Sequence, residues 1–73
     1  MTAPDPELKI TVNGESRAVP PGSTVADLLA ELGLDSGPVA VEQNRALVRK
    51  ADHPATALVD GDDLEIVTFL GGG

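Results

Sequence analysis

Glu7 to Val12 alternates: Leu8, Ile10 and Val12 are apolar while Lys9 and Thr11 are polar, and Asn13-Gly14 follows at once. Alternation with period two is the pattern of a half-buried strand. Asn-Gly is the strongest short hairpin signal, because both residues tolerate the positive φ of a type I′ turn. Glu15 to Val19 is then the returning strand. A chain that opens on a β-hairpin must cover its apolar face with another layer.

The next segment supplies that layer. Pro20-Pro21-Gly22 ends the hairpin, since proline cannot donate to a ladder. Ser23 or Thr24 caps a helix, and Thr24 with Asp27 has the spacing of a capping box. Val25, Leu28, Leu29 and Leu32 fall at i, i+3, i+4 and i+7 and form one apolar stripe. Asp27 and Glu31 face away from it. Gly33 is placed as a C′ glycine, with Leu34 folding back on the last turn. A helix this short depends on packing against the sheet rather than on propensity.

Asp35 to Pro38 reads as a loop, Val39 to Gln43 as a third strand, Asn44-Arg45 as a tight turn and Ala46 to Val48 as a short edge strand. Arg49 to Pro54 reads as irregular and polar, with Thr56 to Val59 as a brief helical turn that buries Leu58. Asp60-Gly61-Asp62 turns the chain into a last strand, Asp63 to Leu70. Leu64 and Ile66 are assigned to the core, because Glu65 on the alternate face cannot be buried unpaired. The order β-β-α-β-β-β is α+β: a mixed sheet of four to five strands with one helix on one face. Residues 1–6 are a loose lead-in, 7–70 one domain and 71–73 a tail.

The chain is 73 residues long, with no cysteine and one aromatic residue, Phe69. No disulfide or thiolate metal site is available, so sulfur cannot be carried on a thiol of this chain. A formal charge of −7 argues against nucleic acid and anionic membrane surfaces, and suits a partner with a basic docking surface. No apolar run is long enough to span a membrane and no signal peptide is visible, so a cytoplasmic location is expected.

The strand Val67-Thr68-Phe69-Leu70 passes without a break into Gly71-Gly72-Gly73. Glycines have no side chain to bury and the most backbone freedom to lose on ordering. What they offer is a thin backbone ending in a carboxylate, ionised at neutral pH. The Gly73 carboxylate is therefore the expected reactive group. Without a β-carbon nearby, its approach to a reaction partner is unhindered. Five extended residues, 69–73, reach at most about 17 Å. Val67, Phe69 and Leu70 form an apolar patch at the tail's base, and such patches mark interfaces. The plainer readings are a frayed end for the glycines and ordinary core for Phe69.

Other candidates point to structure. His53 is alone beside Pro54 and is expected to be solvated. Asp60-Gly61-Asp62-Asp63 lacks the ligand spacing of a calcium loop, and no metal is expected. Arg49 and Lys50 form a solvated face or salt bridges to a partner. Ser23 and Thr24 are caps, with no base placed to activate them.

Val12-Asn13-Gly14-Glu15, Thr24 to Leu29, Val39 to Glu42, Val59 to Asp62 and Phe69 to Gly73 together resemble the ThiS family of thiamine-biosynthesis sulfur carriers. These are ubiquitin-like β-grasp proteins related to MoaD. The resemblance covers the chain after Pro6. Family members often have Val-Pro-Arg after the fourth strand, with an aromatic residue shortly beyond. Here Leu47-Val48-Arg49-Lys50 stands instead, and no aromatic follows there.

The resemblance implies a β-grasp fold with its first and last strands paired in parallel at the centre. It also implies that a ThiF-like adenylyltransferase of the ubiquitin-activating type uses ATP and Mg to adenylate Gly73. A cysteine desulfurase or other persulfide donor then converts the adenylate to a thiocarboxylate, and a ThiG-like thiazole synthase takes the sulfur. The chain itself binds no cofactor and is not an enzyme. The same chemistry at Gly73 would serve a MoaD-like molybdopterin synthase small subunit or a ubiquitin-like modifier. A passive β-grasp interaction module is the remaining alternative.

Overall fold

The computed structural model describes residues 6–69. The expected domain limit at 70 and the tail at 71–73 lie outside the described residues, as does most of the lead-in. The elements are β1 (Leu8–Val12), β2 (Glu15–Val19), α1 (Val25–Glu31), β3 (Val39–Gln43), β4 (Ala46–Val48), a 3-10 helix (Lys50–Ala55) and β5 (Asp63–Thr68). One five-stranded sheet runs in the order β2-β1-β5-β3-β4. β1 and β5 pair in parallel at its centre, with Thr11 opposite Asp63 and Val12 opposite Leu64. All other pairings are antiparallel. This is the mixed sheet and central parallel pair that the β-grasp resemblance implies.

Both ends of α1 are built locally. The Thr24 hydroxyl oxygen accepts the Asp27 amide at 3.1 Å, and the Asp27 carboxylate accepts the Thr24 amide at 2.9 Å. This closes a capping box, and such caps contribute about 1 kcal/mol. At the other end Gly33 takes φ 74. The Gly33 amide bonds Ala30 O at 3.1 Å and the Leu34 amide bonds Leu29 O at 2.8 Å, the two bonds of a Schellman motif. The helix places Val25, Leu28 and Leu29 in one core with Ile10, Val19, Val41, Leu58, Leu64 and Ile66. A single ion pair, Arg17 Nη2 to Glu31 Oε1 at 3.0 Å, also ties β2 to α1. It is partly exposed and worth about 0–1 kcal/mol.

The sequence reading departs from the structure between β4 and β5. The segment read as irregular holds the 3-10 helix. The helical turn expected over Thr56 to Val59 is instead extended, because it pairs with the lead-in to α1. Thr24 and Ala57 form a bridge, Val25 N donates to Thr56 O at 2.9 Å, and Leu58 N donates to Ser23 O at 2.9 Å. Leu58 is buried all the same. His53, expected in solvent, is also buried. Its Nε2 lies 3.1 Å from Val48 O, so the ring staples the 3-10 helix to the end of β4. The last strand ends at Thr68 rather than running to Leu70, which lies outside the described residues.

Candidate functional site

β5 is held tightly where it enters the sheet. Asp62, just before it, is 4 % exposed. Its Oδ2 accepts the Val59 amide and Gln43 Nε2, both at 2.8 Å, and its Oδ1 accepts Asn44 Nδ2 at 2.9 Å. Burial alone would raise this carboxyl's pKa. The hydrogen bonds from Val59, Asn44 and Gln43 outweigh it and hold the pKa below the ordinary 3.8. Asn44 Oδ1 also accepts the Asp63 amide at 2.9 Å, and the Thr11 hydroxyl donates to Asp63 Oδ1 at 2.8 Å.

Midway along the strand, Leu64 is fully buried and Ile66 nearly so. β1 has already left the sheet at Asn13-Gly14, whose φ values of 51 and 85 are those of the type I′ turn expected from sequence. The Asn13 side chain stands in for the missing strand. Its Oδ1 accepts the Ile66 amide at 2.8 Å and its Nδ2 donates to Ile66 O at 3.1 Å.

The far end of β5 is different. Its last described partner bond on the β3 side is Phe69 N to Pro38 O at 3.1 Å. Val67 is 55 % and Phe69 58 % exposed, so Phe69 is not a core residue. Leu70, Gly71, Gly72 and Gly73, named with them from sequence, lie outside the described residues.

Strand pairing adds two features that sequence reasoning missed. Paired residues share a face of the sheet. Leu47, 68 % exposed, pairs with Glu42, and Glu42 with Glu65. Leu47, Val67 and Phe69 therefore look out from the same uncovered face. Glu42 and Glu65 stand directly opposite one another beside them. Leu47 was legible as the outward residue of a three-residue strand, but the carboxylate pair depends on register.

The remaining candidates are structural. The Ser23 hydroxyl donates to Pro20 O at 2.7 Å, and that of Thr24 is used in the helix cap. Arg49 pairs with Asp52 across an exposed 3.9 Å. Among the described residues no three His, Cys, Asp or Glu side chains come together to hold a metal, and no helix is long and apolar enough to cross a membrane.

Comparison with known proteins agrees with this architecture. The model of the ThiS family matches residues 10–73. Over 66 residues, 90 % of the chain, the sequence is 50 % identical to the thiazole synthase of Paramagnetospirillum magneticum. The match spans only 20 % of that longer protein. Over 50 residues it is 42 % identical to the sulfur carrier protein ThiS of Bacillus subtilis, covering 68 % of this chain and 76 % of the relative. The crystal structure of the thiamine biosynthesis protein ThiS from Geobacter metallireducens superposes with a TM-score of 0.76 at 33 % identity. It covers 90 % of this chain and all of that one.

Proposed function

This chain belongs to the ThiS family, and from that premise we propose that it is a sulfur carrier for thiazole formation in thiamine biosynthesis, with the sulfur borne on the carboxylate of Gly73. The observation that carries the reading is the family match running through residue 73. The strand leading there supports it: Leu64 and Ile66 anchor it in the core, while Val67 and Phe69 on its other face are exposed.

The chemistry follows from what a glycine carboxylate can do. One oxygen attacks the α-phosphorus of ATP in a ThiF-like adenylyltransferase, and pyrophosphate leaves. The partner holds the nucleotide and Mg and supplies the charge stabilisation, while this chain supplies an unhindered nucleophile brought into position. A persulfide donor displaces AMP, and cleavage of its S–S bond by a thiol leaves the thiocarboxylate. The chain is thus a substrate of enzymes rather than an enzyme. A cytoplasmic location is consistent with activation by ATP.

The acceptor is a ThiG-like thiazole synthase. Support comes from a segment similar to this chain lying within a protein that is itself a thiazole synthase. The uncovered face with Leu47, Val67 and Phe69 is the docking surface. The carboxylates of Glu42 and Glu65 beside it select basic side chains on the partner.

Reconstitution with the adenylyltransferase, a persulfide donor and thiazole synthase tests this reading. Full-length chain should support thiazole formation, and deletion of Gly73 should abolish it. Unchanged activity without Gly73, sulfur delivery only to molybdopterin synthase, or conjugates on lysine would each overturn it.

A further inference from the structure

β5 outruns β1, and the step between them leaves a notch. In the β3–β5 ladder the amides and carbonyls of Asp63, Val67 and Phe69 face β3, as the Asn44 N to Asp63 O and Phe69 N to Pro38 O bonds fix. Those of Leu64, Ile66 and Thr68 therefore face the β1 side. Leu64 O is taken by Asn13 N, and both Ile66 groups by the Asn13 side chain. Nothing follows for Thr68: among the described residues no hydrogen bond reaches its N–H or C=O on that side.

A cleft of about 320 Å³ adjoins this edge on the helix side of the sheet. Val12, Leu32, Leu34 and Ile66 line it with Arg17 and Thr68. Arg17 Nη2 is paired with Glu31, but its Nε is buried with no acceptor among the described residues. Buried donors are nearly always satisfied. An open strand edge and an incompletely paired guanidinium thus border one cleft.

We propose that this notch is a strand-addition site for an extended segment of thiazole synthase, a proposal that rests on the function given above. Free N–H and C=O groups on one strand are complementary to another extended backbone. The residue paired with Thr68 points its side chain to the same face as Thr68, into the cleft. That side chain has an aliphatic stem, to lie along Leu32 and Leu34, and a terminal oxygen to accept from the Arg17 guanidinium at the cleft wall. Its neighbours point to the other face, towards Val67 and Phe69, so the added strand continues the docking surface.

Amide hydrogen exchange of the ¹⁵N-labelled chain, free and saturated with purified thiazole synthase, tests this. In the free chain the Thr68 amide should exchange unprotected while that of Val67 is protected. In the complex, Thr68 should slow by about tenfold or more. Thr68→Pro removes the free donor without breaking a β3 bond, and should weaken the complex at least about tenfold. Arg17→Met should also weaken it, with Thr68 still protected at saturation.

A complex in which Thr68 stays unprotected and both variants bind normally would overturn the strand-addition site alone. Absence of any complex would overturn it together with the choice of thiazole synthase. Protection of Thr68 in the free chain that grows with concentration would show a second copy on the edge, and would also overturn it.

Discussion

The two ends of β5 are built to opposite specifications. At its start, three donors converge on the buried carboxylate of Asp62, and Asn44 holds the first amide of the strand. At its end, Val67 and Phe69 are more than half exposed and Thr68 faces a notch on one side. A carrier needs both. The clamp fixes the strand in the sheet, and the open end presents Val67 and Phe69 to a partner. Stability effects should therefore concentrate at the Asp62 end and binding effects at the Phe69 end.

Asp62→Ala should have the largest effect. It removes the acceptor of the Val59 amide, Asn44 Nδ2 and one proton of Gln43 Nε2, and should cost about 2–4 kcal/mol in denaturant unfolding. In a domain of this size that is a large share of the total. A loss under about 0.5 kcal/mol would mean that the clamp is not what anchors the strand.

The same carboxylate gives a pH signature. Its pKa in the folded chain is depressed below the ordinary 3.8, so the unfolded chain binds the proton more readily. The stability it contributes is fully present above the unfolded value and is lost as pH falls through the folded one. Acid titration of stability should show this loss in the wild-type chain and a shallower one in Asp62→Asn.

At the other end the order reverses. Phe69→Ala should leave stability within about 0.5 kcal/mol, and should weaken binding to the adenylyltransferase or thiazole synthase about tenfold or more, measured by calorimetry. A collapse of folding with affinity unchanged in the folded fraction would put Phe69 on the wrong side of the comparison. The smallest effect belongs to Glu65→Lys. It replaces a like-charge cross-strand pair with an opposite-charge one facing Glu42, and should stabilise the free chain by about 0.2–1 kcal/mol. Partner association should slow, with a weaker dependence on salt.

Much of this plan is legible in the residues. The alternation ending at Asn13-Gly14 gives the first hairpin, and Thr24 with Asp27 and Gly33 gives both ends of α1, because those signals act within a few residues. The clamp is not legible in the same way. Asp60-Gly61-Asp62 reads correctly as a turn, yet two of the three partners of Asp62 are Gln43 and Asn44, nineteen and eighteen residues away. The burial of His53 is hidden for a similar reason: a lone histidine beside a proline shows no periodicity, and its contact with Val48 O depends on how the 3-10 helix folds back on β4. The parallel pairing of β1 with β5 joins residues about fifty positions apart, and came from family resemblance rather than local pattern. At the open end the apolar character of Val67 and Phe69 was readable, but Leu47 and the Glu42–Glu65 pair join that face only through register.

Intact mass spectrometry reads the central claim most directly. After incubation with ATP, Mg, the adenylyltransferase and a persulfide donor, the chain should gain the mass of one oxygen exchanged for sulfur, and fragmentation should place it on Gly73. An unchanged mass with active adenylyltransferase and persulfide donor present, or sulfur found on any other residue, would contradict it.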